Sequence, residues 1–146
     1  MLQSIRVQNF HSIGKLQELS LKISDKDVLN SSARTTDFSS PVNLVCSVIG
    51  HNASGKTTVL KALDFIFRLV KNAYTDFKPD VRLPFDSHKL WRGKPSNVEI
   101  DFYDRKTLYT YQIEFCGKMI VKEVLKKKDA RGKPIFTLER NSDDVQ

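Results

Sequence analysis

Gly50-His51-Asn52-Ala53-Ser54-Gly55-Lys56-Thr57 is the stretch that decides the reading of this chain. It has the form G-x-x-x-x-G-K-[ST], a phosphate-binding P-loop, and each fixed position has a physical task. The glycines let the backbone curl with no Cβ between it and a phosphate. The loop N–H groups then converge on phosphate oxygens. Lys56 reaches the β- and γ-phosphates, and the Thr57 hydroxyl is placed to ligate Mg²⁺. A helix that starts here adds its positive dipole end.

The motif requires a strand before it and a helix after it. Residues 42–49 read Val-Asn-Leu-Val-Cys-Ser-Val-Ile, mostly apolar and β-branched, which predicts a buried strand. After the loop, Val59, Leu60, Ala62, Leu63, Phe65, Ile66, Phe67, Leu69 and Val70 are apolar, while the charges fall at Lys61, Asp64, Arg68 and Lys71. That spacing predicts a helix with one narrow polar stripe, buried on most of its surface.

Outward from this core the chain alternates. Leu2 to Phe10 reads as a strand, and Leu19 to Ile23 as its antiparallel partner. Residues 24–40 are rich in Ser, Thr and Asp and have no period, as a surface loop does. Residues 72–96 hold Pro79, Pro84 and Pro95 and read as a long connection, with Trp91 as a packing anchor beneath it. Val98, Ile100 and Phe102, then Tyr109, Tyr111, Ile113 and Phe115, alternate with polar residues. Gly117 and Gly132 mark further turns, so residues 97–140 predict four antiparallel strands. The expectation is a mixed α/β (α+β) fold, one partial domain over residues 1–146: N-terminal strands, P-loop and helix (1–72), connection (73–96), and antiparallel β-meander (97–140).

The 146 residues suit one domain or a piece of one. No stretch approaches the ~18 apolar residues of a membrane span, and Met1 to Arg6 lacks the apolar region of a signal peptide. Cys46, in the predicted buried strand, and Cys116, at the end of another, read as buried small apolar residues. A cytoplasmic address with no membrane partner follows by elimination. The net charge of +7 permits a nucleic-acid partner. Its densest run, Lys122 to Lys133, reads first as a solvated hairpin tip and second as a phosphate-backbone contact.

Hydrolysis needs more than a P-loop, namely an apolar strand that ends in an acidic residue. Val98-Glu99-Ile100-Asp101 alternates and reads instead as a half-exposed hairpin strand. Asp64 falls on the solvent side of the P-loop helix. No L-S-G-G signature occurs, the three histidines are scattered, and no zinc spacing or Ser-His-Asp set can be assembled.

Two segments carry a family resemblance. Ile5-Arg6-Val7-Gln8-Asn9-Phe10-His11-Ser12-Ile13 resembles the opening I-x-x-F-R-S-[FI] strand of SMC/RecF-type ATPases. Val48 to Leu63 is similar to their G-x-N-G-[SA]-G-K-[ST]-x-L-L-x-A-[IL] segment. The wider match is to prokaryotic AAA-family ATPases with the ABC-type head, including OLD-like and phage-defence proteins. His11 stands where these have arginine, and Ala53 where they have glycine. The resemblance implies the N-terminal lobe of such a head, with ATP and Mg²⁺ as cofactors, pairing of two heads around nucleotide, and DNA as a further partner. It also implies a phosphate-binding set of Gly50, Asn52, Ser54, Gly55, Lys56, Thr57 and Thr58, with Lys56 the catalytic cation and Thr57 the metal ligand. In the family the acidic motif and signature lie in the C-terminal part. Two rival readings stand beside the ATPase: a non-hydrolysing nucleotide sensor, and a P-loop kinase of a small metabolite, which calls for a compact parallel sheet.

Overall fold

A computed structural model describes residues 1–23, 33–34, 42–43, 45–52, 54–72, 86–105, 107–117, 119–129 and 131–141. Among the described residues, eight strands and one α-helix run in the order β1 (Leu2–Gln8), β2 (Gln17–Ser20), β3 (Ala33–Arg34), β4 (Val42–Asn43), α1 (Lys56–Asn72), β5 (Ser96–Asp104), β6 (Thr107–Cys116), β7 (Met119–Lys128) and β8 (Pro134–Asn141). A 3₁₀ turn, Lys89–Trp91, precedes β5. Six strands form one antiparallel sheet in the order β2-β1-β5-β6-β7-β8. The four-strand meander predicted over 97–140 is present, and β1 inserts beside its first strand.

Cross-strand partners share a face, so the register states what each face carries. Ile5, Ile100, Tyr111 and Leu125 line up across β1, β5, β6 and β7, and so do Val7, Val98 and Ile113. Helix α1 lies on this face and buries Ala62, Phe65, Ile66 and Leu69, the spacing of one helical stripe. Phe65 sits between Phe10 and Phe115, with ring centroids 5.8 and 5.1 Å away.

The opposite face is polar yet tightly bonded. Asp101 is 2% exposed. It accepts from Ser4 Oγ (3.1 Å), Arg6 Nη2 (2.8 Å), Lys128 Nζ (3.2 Å) and the Thr110 hydroxyl. Arg6 also pairs with Glu99 and, at 3.5 Å, with Glu18. Burial alone would push the Asp101 carboxyl up. The Thr110 hydrogen bond, Lys128 and Arg6 outweigh it and hold the carboxyl below its ordinary value. The expectation of a half-exposed strand therefore fails at this position, because Arg6 and Lys128 fold over the carboxylate.

Five further expectations are corrected. The predicted strand over residues 42–49 forms a ladder only at Val42–Asn43, which pairs with Ala33–Arg34 inside the segment read as loop. Residues 45–50 have no strand partner among the described residues, and Val45 is 74% and Ile49 92% exposed. A strand of this kind is buried only between neighbours, and none of the described strands reaches it. Cys46 is exposed for the same reason, and Cys116 is half-buried. The helix is buried on one side only, since Leu60, Phe67 and Val70 are exposed. Strand β2 ends at Ser20, short of the predicted Ile23, although Lys22 bridges to Val42. The basic run is mostly strand β7, where Lys122 pairs with Glu139 at 2.7 Å and Lys128 with Asp101. The connection over 73–85 and most of the loop over 24–40 lie outside the described residues.

The Asp101 network predicts an acid response of definite sign. Its folded-state pKa lies below the ordinary 3.8, so its contribution is complete above that value and disappears as pH falls below it, through the depressed one. Urea midpoints should show Asp101→Asn less stable at neutral pH by about 2 kcal/mol, with a shallower decline below about pH 4 than the parent chain. Equal acid slopes in the two proteins would remove Asp101 as the cause.

Candidate nucleotide-binding site

Helix α1 begins at Lys56 and runs 17 residues to Asn72. Gly55, immediately before it, has φ +90°, a conformation that L side chains rarely adopt. Its carbonyl accepts from Thr58 N at 3.0 Å and Val59 N at 3.3 Å, which starts the helix. At the other end of the loop, a Cβ on Gly50 would meet Ser54 Oγ at 2.7 Å. The glycines of the motif thus have local causes, one conformational and one steric.

The Lys56 ammonium closes the loop on itself. It donates to Gly50 O at 2.7 Å and His51 O at 2.6 Å. An ammonium has three donors, so this geometry fixes its position with two and leaves one for an anion at the loop. The first helical N–H groups lack intrahelical partners and add a positive end there. Asn52, Ser54 and Thr57 are exposed on the same loop, and Ala53 lies outside the described residues. Thr58 is buried, its hydroxyl 2.6 Å from Ser12 Oγ. Of the expected residues, then, Gly50, Ser54, Gly55 and Lys56 form one closed turn, Asn52 and Thr57 border it, and Thr58 faces the N-terminal turn. The start of α1 thus carries a bonded ammonium at Lys56 and an exposed threonine at Thr57.

The segment around Ser12 contributes what spacing alone did not reveal. Asn9 and His11 both have positive φ, 52° and 48°. They bend the chain after β1 so that Ser12 meets the start of α1, and Ser12 Oγ is the nearest group to a Cβ built on Gly55, at 3.8 Å. His11 N donates to Asp86 O at 2.6 Å. Burial and the neighbouring Lys61 push the His11 imidazole below its ordinary value, with Asp86 opposing. At neutral pH His11 is therefore uncharged and supplies no fixed positive charge, unlike an arginine.

Acidic residues lie elsewhere. Asp64 is exposed and pairs with Arg68 at 2.9 Å, one turn along α1. Glu99 and Asp101 belong to the Arg6 network on the far face of the sheet. Among the described residues no group of three or more His, Cys, Asp or Glu could hold a metal ion, and no helix is long and apolar enough to cross a membrane.

The model of the AAA ATPase domain family matches residues 1–145. The chain belongs to that family. No curated protein matches it. Membership in the AAA ATPase domain family supports a general ATP-binding ATPase, and the mixed α+β fold with its antiparallel sheet is compatible with the N-terminal lobe of one.

The loop geometry makes one position decisive. Gly55→Ala places a side chain at φ +90°. It should cost about 1–3 kcal/mol of stability and at least tenfold in affinity for a fluorescent ATP analogue, read by thermal melting and by titration. Unchanged affinity would mean that nucleotide does not use this turn.

Proposed function

We propose that residues 1–146 are one partial domain, the nucleotide-binding lobe of an SMC/RecF/OLD-like ATPase. In this reading Gly50, Asn52, Ser54, Gly55, Lys56, Thr57 and Thr58 surround the phosphates of ATP. Lys56 neutralises γ-phosphate charge and Thr57 ligates Mg²⁺, which offsets charge on the β- and γ-oxygens when bound. The observation that carries the reading is the Lys56 ammonium, held by the carbonyls of Gly50 and His51 with one donor left over. The part-buried Ser12–Thr58 contact ties the start of the helix to the turn after β1.

Two exposed apolar surfaces support a larger catalytic unit. Leu60, Phe67 and Val70 form a second stripe on α1, and Val45, Val48 and Ile49 lead into the loop without strand neighbours among the described residues. A further layer of protein packed on both would bury them and could bring the acidic strand that hydrolysis requires. The intact assembly would then hydrolyse ATP to drive the closing of paired heads, in DNA metabolism or anti-phage defence in the cytoplasm.

A second reading has its own support. The carboxylates of Asp64, Glu99 and Asp101 are engaged with Arg68 and Arg6, so this chain by itself fits a nucleotide sensor. The small-metabolite kinase fits poorly, because the main sheet is antiparallel throughout.

ATP turnover separates the two main readings. The 146-residue chain should bind ATP and turn over negligibly, while the full product of its gene should hydrolyse ATP. Lys56→Ala should lower binding at least tenfold in the short chain and abolish turnover in the long one. Binding without turnover by the long product would favour the sensor, and robust turnover by the short chain would contradict the proposed division of the site.

A further inference from the structure

The segment that leads into β5, His88-Lys89-Leu90-Trp91-Arg92-Gly93-Lys94, has no task in the nucleotide reading. It carries the only tryptophan of the chain. Around Trp91 stand Lys89, Arg92 and Lys94, all exposed, and none has an ion-pair partner among the described residues. By contrast Arg6, Arg68, Lys122, Lys128 and Arg140 are all paired. The ammonium of Lys94 lies 5.3 Å from the centre of the Trp91 ring, and Leu90 is 84% exposed. Cations, an aromatic ring and an uncovered apolar side chain are thus collected on six consecutive residues.

This surface is held rigidly. Asn9, fully buried, shares its amide hydrogens among Trp91 O (3.2 Å), Lys94 O (2.8 Å) and Pro95 O (3.1 Å), and its Oδ1 accepts from His88 N at 3.0 Å. Ser96 Oγ donates back to the Asn9 carbonyl. The His88 ring caps the 3₁₀ turn by accepting from Leu90 N. A ligand that docks here meets a surface whose ordering has already been met by folding. Two residues beyond Asn9 the same turn bonds to Asp86, and three beyond it Ser12 touches α1. The surface and the start of α1 therefore both contact the segment Asn9 to Ser12 that follows β1.

We propose that Lys89 to Lys94 is a docking surface for a single nucleic-acid strand, with phosphates on Lys89, Arg92 and Lys94 and a base against Trp91 and Leu90. The alternation of charge and flat ring matches a strand in which phosphates and bases recur together. An acidic peptide would satisfy the cations and leave the ring and Leu90 uncovered. The inference extends the nucleic-acid part of the preceding reading. It is tested without nucleotide, so its failure leaves the ATP site untouched.

The test is titration of the 146-residue chain with oligothymidylate of about ten nucleotides, following Trp91 emission and, in parallel, the anisotropy of a labelled strand. Emission should be quenched to saturation. Affinity should fall roughly 20-fold between about 50 and 200 mM salt if three phosphates are neutralised. Arg92→Ala/Lys94→Ala should weaken binding and reduce the slope of log affinity against log salt by about 1.4. Its melting temperature reports whether it has folded, and the parent's quenching stands independently of it. Lys126→Ala/Lys127→Ala, on strand β7, should bind as the parent does. Binding without quenching, binding unchanged in Arg92→Ala/Lys94→Ala, loss in the β7 variant, or equal quenching by polyglutamate would each overturn the proposal.

Discussion

The packing of Phe65 between Phe10 and Phe115 is the contact on which the rest depends. Phe10 belongs to the bend after β1, Phe115 to the end of β6, and Phe65 to the middle of α1, so three distant segments meet in one aromatic cluster. With Ile66 and Ala62 beside it, both fully buried, the helix has one position on the sheet. The position of its first residue, Lys56, follows from that. A loop that closes through two lysine hydrogen bonds has little stability of its own. Its geometry is held because the helix that follows it is anchored by apolar burial worth several kcal/mol.

The two faces of the sheet are stabilised differently. The helix face relies on close packing, and the other on a charged network in which Asp101 is surrounded by Ser4, Arg6, Thr110 and Lys128. A buried carboxylate is tolerated there because every approach to it is occupied by a donor. The same network accounts for Glu99 and Asp101 of β5. They hold β5 to β1 at Arg6, one strand away from where the chain bends toward the start of α1.

Much of this was legible in the sequence, and the rest was not for physical reasons. Period-two alternation at Val98, Ile100, Tyr111 and Ile113 announced the meander because one face of that sheet is buried and its register has a single solution. A turn before α1 was legible because Gly55 adopts φ +90°, a conformation that favours glycine. Val45 to Ile49 misled because an apolar run specifies burial without naming the partner, and no described strand supplies one. Leu60, Phe67 and Val70 misled in the same way on the helix. Asn9 gave no signal at all: its partners stand 79 to 86 residues away, and only the folded backbone brings them together. Ser12 falls on the serine of the I-x-x-F-R-S-[FI] pattern, yet its partner appears only in the fold, beside Thr58.

The central claim is that phosphate binds at the start of α1, within the loop closed by Lys56. Backbone amide spectra of the ¹⁵N-labelled chain, recorded while Mg²⁺-ATP is added, test it most directly. The account predicts that the amide signals of Gly55, Lys56 and Thr57 shift together and saturate, with Ser12 following and the strands β7 and β8 unchanged. Shifts confined to the sheet or to β7 and β8, with the loop amides unmoved at saturating nucleotide, would contradict it.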